Sequence, residues 1–184
     1  MTRFYLVRHA ESPWSLDEQR PLSTRGLAQA EEVAEVMMAL ERSLRVIYSS
    51  PYRRAYETVS PLAQRFKLTI RMTNELCERR LADGPVDDFQ EAVAATWRHP
   101  TVPLPGGESN TEAQHRGVTL VDRLWQRYPD ASVVLSTHGN LLALILHHFD
   151  PSADFRFWQA LTMPDIYCLQ LDGSRFEISR IWNQ

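Results

Sequence analysis

The chain has 184 residues, 43% of them hydrophobic, and a formal net charge of −3. This length and apolar content suit one soluble domain over residues 1–184, and the mildly acidic balance excludes the basic field of a nucleic-acid-binding protein. Cys77 and Cys168 are too few for a disulfide framework, and no apolar run reaches a membrane span or a signal peptide, so a reducing cytoplasmic setting is expected.

From the N-terminus, Phe4-Tyr5-Leu6-Val7 is an apolar strand that ends abruptly in Arg8-His9. In open α/β sheets the C-terminal strand edge is where ligands bind. A guanidinium beside an imidazole there suits an anionic substrate, because Arg holds phosphate oxygens with a planar fork of donors. Ser23 caps a helix whose apolar stripe is Leu27, Ala30, Val33, Ala34, Met37 and Leu40. A second strand, residues 46–49, runs into Ser50-Pro51-Tyr52-Arg53-Arg54, with Ser50 as N-cap and Pro51 in the first helical position. Two arginines in a first turn oppose the helix dipole, and an anion held between them would account for them. Pro61 is expected to kink or interrupt that helix, and a short strand follows over 68–72.

From Cys77 to Gly107 the periodicity degrades, apart from an amphipathic stretch around Phe89, Ala92, Val93 and Trp97. Residues 79–107 are therefore expected to form a lid or substrate-selecting insertion. Ser109 and Glu112 form a capping box for a helix that buries Val118, Val121, Leu124 and Trp125. Ser132-Val133-Val134-Leu135-Ser136 is another apolar strand, running into Thr137-His138-Gly139-Asn140 and a helix over 141–146. Two of the chain's six histidines thus close strands in the same way, and both are expected at one sheet edge. Segments 166–171 and 176–182 flank Asp172-Gly173, a strong hairpin signal. The alternation predicts an α/β fold: a three-layer α/β/α sandwich on a mostly parallel sheet with at least one antiparallel strand.

Five segments together resemble the histidine phosphatase superfamily, which includes cofactor-dependent phosphoglycerate mutases and many small phosphatases. They are Leu6-Val7-Arg8-His9-Ala10-Glu11, Ser50-Pro51-Tyr52-Arg53-Arg54-Ala55-Tyr56-Glu57-Thr58, Leu76-Cys77-Glu78, Gly107-Glu108-Ser109 and His138-Gly139. They stand in the family's order and span nearly the whole chain. The resemblance implies covalent catalysis, in which His9 attacks phosphorus and water then hydrolyses the phosphohistidine. Arg8, Arg54 and a protonated His138 would stabilise the transferring charge without metal or cofactor. Glu78 would be the general acid, in an environment that raises its pKa, with Glu75 as a rival that the family spacing rejects. The same likeness puts Ser15, Gly139 and Asn140 with Arg8, Arg54 and Glu78 among the substrate-binding positions. A small phosphorylated molecule is the expected partner, with nucleic acid and membrane excluded and oligomeric state left open.

Other residues carry blander readings. Arg53 is expected to be a solvated helix residue, and Glu11 to cap or pair locally. His99 and His115 are expected at the surface, and His147 and His148 near a helix C-terminus. Glu108 is expected to orient the arginine cluster, and Trp14 is either core or pocket wall. Three departures stand out: Ala10 replaces the usual Gly, Ser15 the usual phosphate-binding Asn, and the loop before Pro21-Leu22-Ser23 is short. The mutase-type Glu-Arg-x-Tyr-Gly is also absent, because Glu78 is followed by Arg79-Arg80-Leu81-Ala82. These departures favour a phosphatase over a phosphoglycerate mutase. Two further readings are a metal hydrolase with His9, His138 and Glu78 as ligands, which the nearby guanidiniums oppose, and a non-catalytic module that binds a phosphorylated partner.

Overall fold

The computed structural model describes residues 1–15 and 17–183. Six strands, β1 (Thr2–Arg8), β2 (Val46–Ser49), β3 (Ile70–Met72), β4 (Ser132–Thr137), β5 (Asp165–Asp172) and β6 (Arg175–Arg180), form one sheet in the order β3-β2-β4-β1-β5-β6. β1 to β4 are parallel, and β5 is antiparallel to both of its neighbours. The hairpin at Asp172-Gly173 is therefore as expected, and only β5 runs against the rest.

Alternation along the strands sorts side chains into two cores. Phe4 and Leu6 of β1, with Val133 and Leu135 of β4, pack towards α4 (Asn110–Arg127) and α5 (Gly139–Phe149). Tyr5, Val7, Ile47 and Val134 point the other way, against α1 (Thr24–Leu40) and α2 (Arg53–Phe66). A strand with both faces covered needs an unbroken apolar run, which is what β1 and β4 carry. α3 (Phe89–Arg98) lies in the expected insertion and buries Val93, while α6 (Phe155–Ala160) buries Trp158.

Several local expectations hold. Ser23 caps α1 through the Gly26 N–H, and Ser109 and Glu112 make the capping box of α4. Others need correction. The stripe of α1 is narrower than the spacing suggests, because Leu27 and Leu40 are about half exposed while Ala30, Val33, Ala34 and Met37 are buried. α2 starts at Arg53 with Tyr52 as its N-cap, so Ser50 and Pro51 lie before the helix. Nor does Pro61 interrupt α2, which continues to Phe66. A proline in a helix interior costs about 3 kcal/mol, but Val59, Leu62 and Ala63 on either side of it are buried against α1 and hold the helix together.

Candidate active site

Parallel pairing of β1 with β4 aligns Arg8 with Thr137, so His9 and His138 leave the sheet side by side. The His9 N–H continues the ladder to the Thr137 carbonyl at 3.0 Å. Their rings meet edge to face with centroids 5.2 Å apart. β2, on the other side of β4, delivers Ser50 and then α2 with Arg54. Arg8, His9, Arg54, Glu78, Gly139 and Asn140 all line one cavity of about 440 Å³, with His138 behind His9.

The hydrogen bonds assign the state of His9. Arg54 Nε donates to His9 Nε2 at 3.2 Å, and His9 Nδ1 lies 2.7 Å from the Ala10 carbonyl. A guanidinium can only donate and a carbonyl can only accept, so the ring proton is on Nδ1 and the lone pair is on Nε2. Burial, then the nearby Arg54, Arg8 and Arg20 charges, push the imidazole down to about 3, against the Ala10 hydrogen bond. His9 is therefore neutral and nucleophilic at any ordinary pH. An unfolded chain binds a proton on this ring below about pH 6.5 whereas the folded one does not. Stability should consequently fall as the pH drops from there towards the folded value, by up to about 1.4 kcal/mol per pH unit from this residue. Urea midpoints of wild type and His9→Asn between neutral pH and about pH 4 test this. The variant should lose less stability on acidification, and equal slopes would rule out a buried neutral His9.

His138 is expected to be charged only with a phosphate beside it. Complete burial, with His9 and Arg54 adding to it, holds its pKa well below the usual imidazole range, so it is neutral here rather than protonated. A phosphate dianion alongside would favour the charged form. Its Nε2 is 2.9 Å from Ser50 Oγ, the hydroxyl that the sequence suggested as the cap of α2. Tyr52 packs on the His138 ring at 5.1 Å and lies under the Arg54 guanidinium at 4.9 Å. Burial and the neighbouring Arg20 lower Arg54 to about 10, which leaves it cationic.

Arg8 is held by the carbonyls of Leu161 and Thr162, at 2.8 and 3.2 Å from Nη1. That loop is in turn fixed by Asp165, which is fully buried and takes hydrogen bonds from Thr162 and Arg180. Gly139 makes room for the guanidinium, because a Cβ there would stand 3.0 Å from Arg8 Nε and 3.1 Å from Cζ. Gly139→Ala should therefore displace Arg8 and lower kcat/KM by about 10- to 100-fold, the scale of an ångström-sized misplacement. Inhibition by inorganic phosphate should weaken alongside, and unchanged inhibition would reject this role.

Glu78 sits at the N-terminus of α5. Oε1 accepts from the Arg79 and Leu141 N–H groups at 2.8 and 3.0 Å, and Oε2 accepts from the Asn140 N–H at 3.0 Å. One lone pair of Oε2 is left as the position for a proton. Its segment is supported by Arg116, which donates to the Glu75 and Cys77 carbonyls and forms a bidentate pair with Glu108. Glu108 thus orients Arg116, not Arg8 or Arg54 as the sequence suggested.

Ser15 is the expected binding residue that is not brought in. Its hydroxyl accepts from the Asp17 N–H at 3.1 Å, its carbonyl accepts from Arg20 at 2.9 Å, and it is not among the cavity-lining residues. Arg20 lines the cavity instead. Trp14 is wall rather than core, 82% exposed at the cavity mouth. Glu11 pairs locally with Ser23 and Arg25, and Arg53 with Glu57. Arg79, Phe89, Trp158 and Met163 also line the cavity and were missed. Arg79 is 3% exposed and none of its guanidinium nitrogens has a partner. Thr58 was visible only inside its motif. It accepts from the Ala10 N–H at 2.9 Å and so pins the nucleophile's loop to α2. Among the described residues no group of three His, Cys, Asp or Glu side chains is arranged to hold a metal.

A family model of the histidine phosphatase superfamily, branch 1, matches residues 4–184. The chain belongs to that superfamily. It is 29% identical over 164 residues to phosphoglycerate mutase-like protein 4 of Arabidopsis thaliana, covering 80% of this chain and 71% of the relative. It is 30% identical over 164 residues to glucosyl-3-phosphoglycerate phosphatase of Mycobacterium tuberculosis, covering 78% and 73%. A mycobacterial glucosyl-3-phosphoglycerate phosphatase solved with inorganic phosphate superposes with a TM-score of 0.77 at 26% identity, over 96% of this chain and 95% of that one. As a superfamily member with phosphatase relatives, the chain is an enzyme of the phosphatase type, and the family's chemistry runs through a phosphohistidine. Among the described residues no helix is long and apolar enough to cross a membrane.

Proposed function

We propose that the chain is a metal-independent phosphomonoesterase whose nucleophile is His9 Nε2. The observation that carries this is the hydrogen-bond arrangement at His9, with Nδ1 beside the Ala10 carbonyl and Nε2 facing Arg54. Nε2 attacks phosphorus as the ester P–O bond breaks, and the leaving oxygen takes the proton of Glu78 Oε2. Water then attacks the phosphohistidine with Glu78 as base, which releases phosphate and restores both groups. Arg8 and Arg54 hold the equatorial oxygens, and His138 becomes charged as negative charge builds beside it. Gly139 and Asn140 contribute through the N-terminus of α5.

The substrate is a small phosphomonoester with a second anionic group, selected largely by residues 79–107. Five arginines, Arg8, Arg20, Arg54, Arg79 and Arg80, line the cavity against Glu18 and Glu78. One phosphate occupies Arg8 and Arg54, so the others favour a further charge. The glycerate portion of the mycobacterial relative's named substrate carries such a group. The phosphatase reading is preferred to a mutase, which must keep water away from the phosphohistidine while an intermediate reorients. The free thiols of Cys77 and Cys168 fit a reducing cytoplasm.

The test is leaving-group dependence. Glu78→Gln should slow alkyl phosphates by about 10²- to 10⁴-fold, the usual worth of general acid catalysis, and p-nitrophenyl phosphate far less. Equal defects would remove Glu78 from the acid role. Turnover of wild type should survive exhaustive chelation, and loss on chelation would restore the metal-hydrolase reading.

A further inference from the structure

Eleven buried side-chain nitrogen and oxygen atoms among the described residues have no hydrogen-bond partner. Such atoms are few in native proteins and each calls for an explanation. Here they fall on two places. Seven belong to Arg8, Arg20, Arg79, His138 and Asn140, in or directly behind the catalytic cavity. The other four are Trp97 Nε1, both terminal atoms of Asn110 and His147 Nδ1. All three of these residues line a second cavity, of about 550 Å³, between α3, the start of α4, α5 and the start of α6.

The unpaired groups of this second cavity are an amide, an indole N–H and an imidazole nitrogen. The Asn110 side chain, 2% exposed, offers one donor and one acceptor side by side. Trp97 offers an N–H and His147 a ring nitrogen that takes either role. The two rings stand edge to face at 5.4 Å, and Ala94, Leu144 and Phe155 add apolar wall. The charges at its edge are already committed, Arg98 to Glu91 and Asp154 to the N–H groups of Arg156 and Phe157. Gln114 is likewise bound to the Leu144 carbonyl at 2.9 Å.

We propose that this cavity is a second ligand site, separate from the catalytic one, for a flat, neutral molecule with an amide or lactam edge. The ring lies against Trp97 and the apolar wall, and the edge pairs with the Asn110 amide.

Nicotinamide, which has such an edge on a flat ring, is the probe. The chain's five tryptophans give separable indole N–H signals in nitrogen-15 NMR spectra, and Trp97→Phe identifies the relevant one. Millimolar nicotinamide should shift the Trp97 signal saturably, both with and without orthovanadate in the catalytic cavity. Ala94→Leu, which fills the second cavity, should abolish the shift. Asn110→Leu should abolish it as well while raising Tm, because it removes two unpaired buried atoms. The proposal fails if the Trp97 signal does not move in the wild type, if orthovanadate abolishes the shift, or if a folded Asn110→Leu or Ala94→Leu protein retains it.

Discussion

His9→Ala should reduce turnover by roughly six orders of magnitude, the scale of losing a covalent nucleophile. Among the described residues no other side chain is placed to take its part. His138 is the nearest imidazole, but its Nε2 is engaged with Ser50 and it sits behind the His9 ring. Rapid acid and alkaline quenching with phosphorus-32-labelled substrate checks the assignment. Wild type should show an acid-labile, alkali-stable phosphoenzyme and His9→Ala none. Label appearing on His138 would require the two roles to be exchanged.

Arg54→Met should lower kcat/KM by about 10³- to 10⁵-fold, the range seen when an arginine that stabilises a transferring phosphoryl group is removed. The residue has two tasks. It donates to His9 Nε2 at 3.2 Å, which selects the productive tautomer, and in the proposed mechanism it contributes planar donors to the phosphate. Lysine supplies the charge without the fork, so Arg54→Lys should recover only a small part of the loss. Because burial makes Arg54 an uncomfortable cation, the methionine variant should melt no lower than wild type. A loss below tenfold, or a large drop in Tm, would mean that Arg54 is structural rather than catalytic.

The meeting of Arg8, His9 and His138 in the candidate site was legible because they lie at strand ends. Apolar runs at Phe4–Val7 and Ser132–Ser136 stop at Arg8-His9 and at His138, and two adjacent parallel strands bring those stops together. The edge of the cavity was not legible. Trp158 and Met163 reach it from a segment whose pattern carries no chemistry, and the two carbonyls that anchor Arg8 come from the same stretch. Backbone acceptors leave no trace in residue type. Ser15 misled because a family position was mapped onto a loop of different length, where its hydroxyl closes a local turn. The complete burial of His138 was not legible either, since burial depends on packing that no local pattern reports. Pro61 shows the opposite error, a local rule overridden by tertiary contacts.

The place of β1 in the sheet bears on how the protein is made. Thr2–Arg8 leaves the ribosome well before its partners, Ser132–Thr137 and Asp165–Asp172. Until those segments emerge, Phe4 to Val7 have no native strand to pair with, and their apolar side chains must be sheltered by the collapsing chain or by chaperones. The loop that grips Arg8 is locked by Arg180, which is made after both of those strands. Catalytic competence should accordingly appear in a single late step, with nascent chains inert until β5 and β6 have docked.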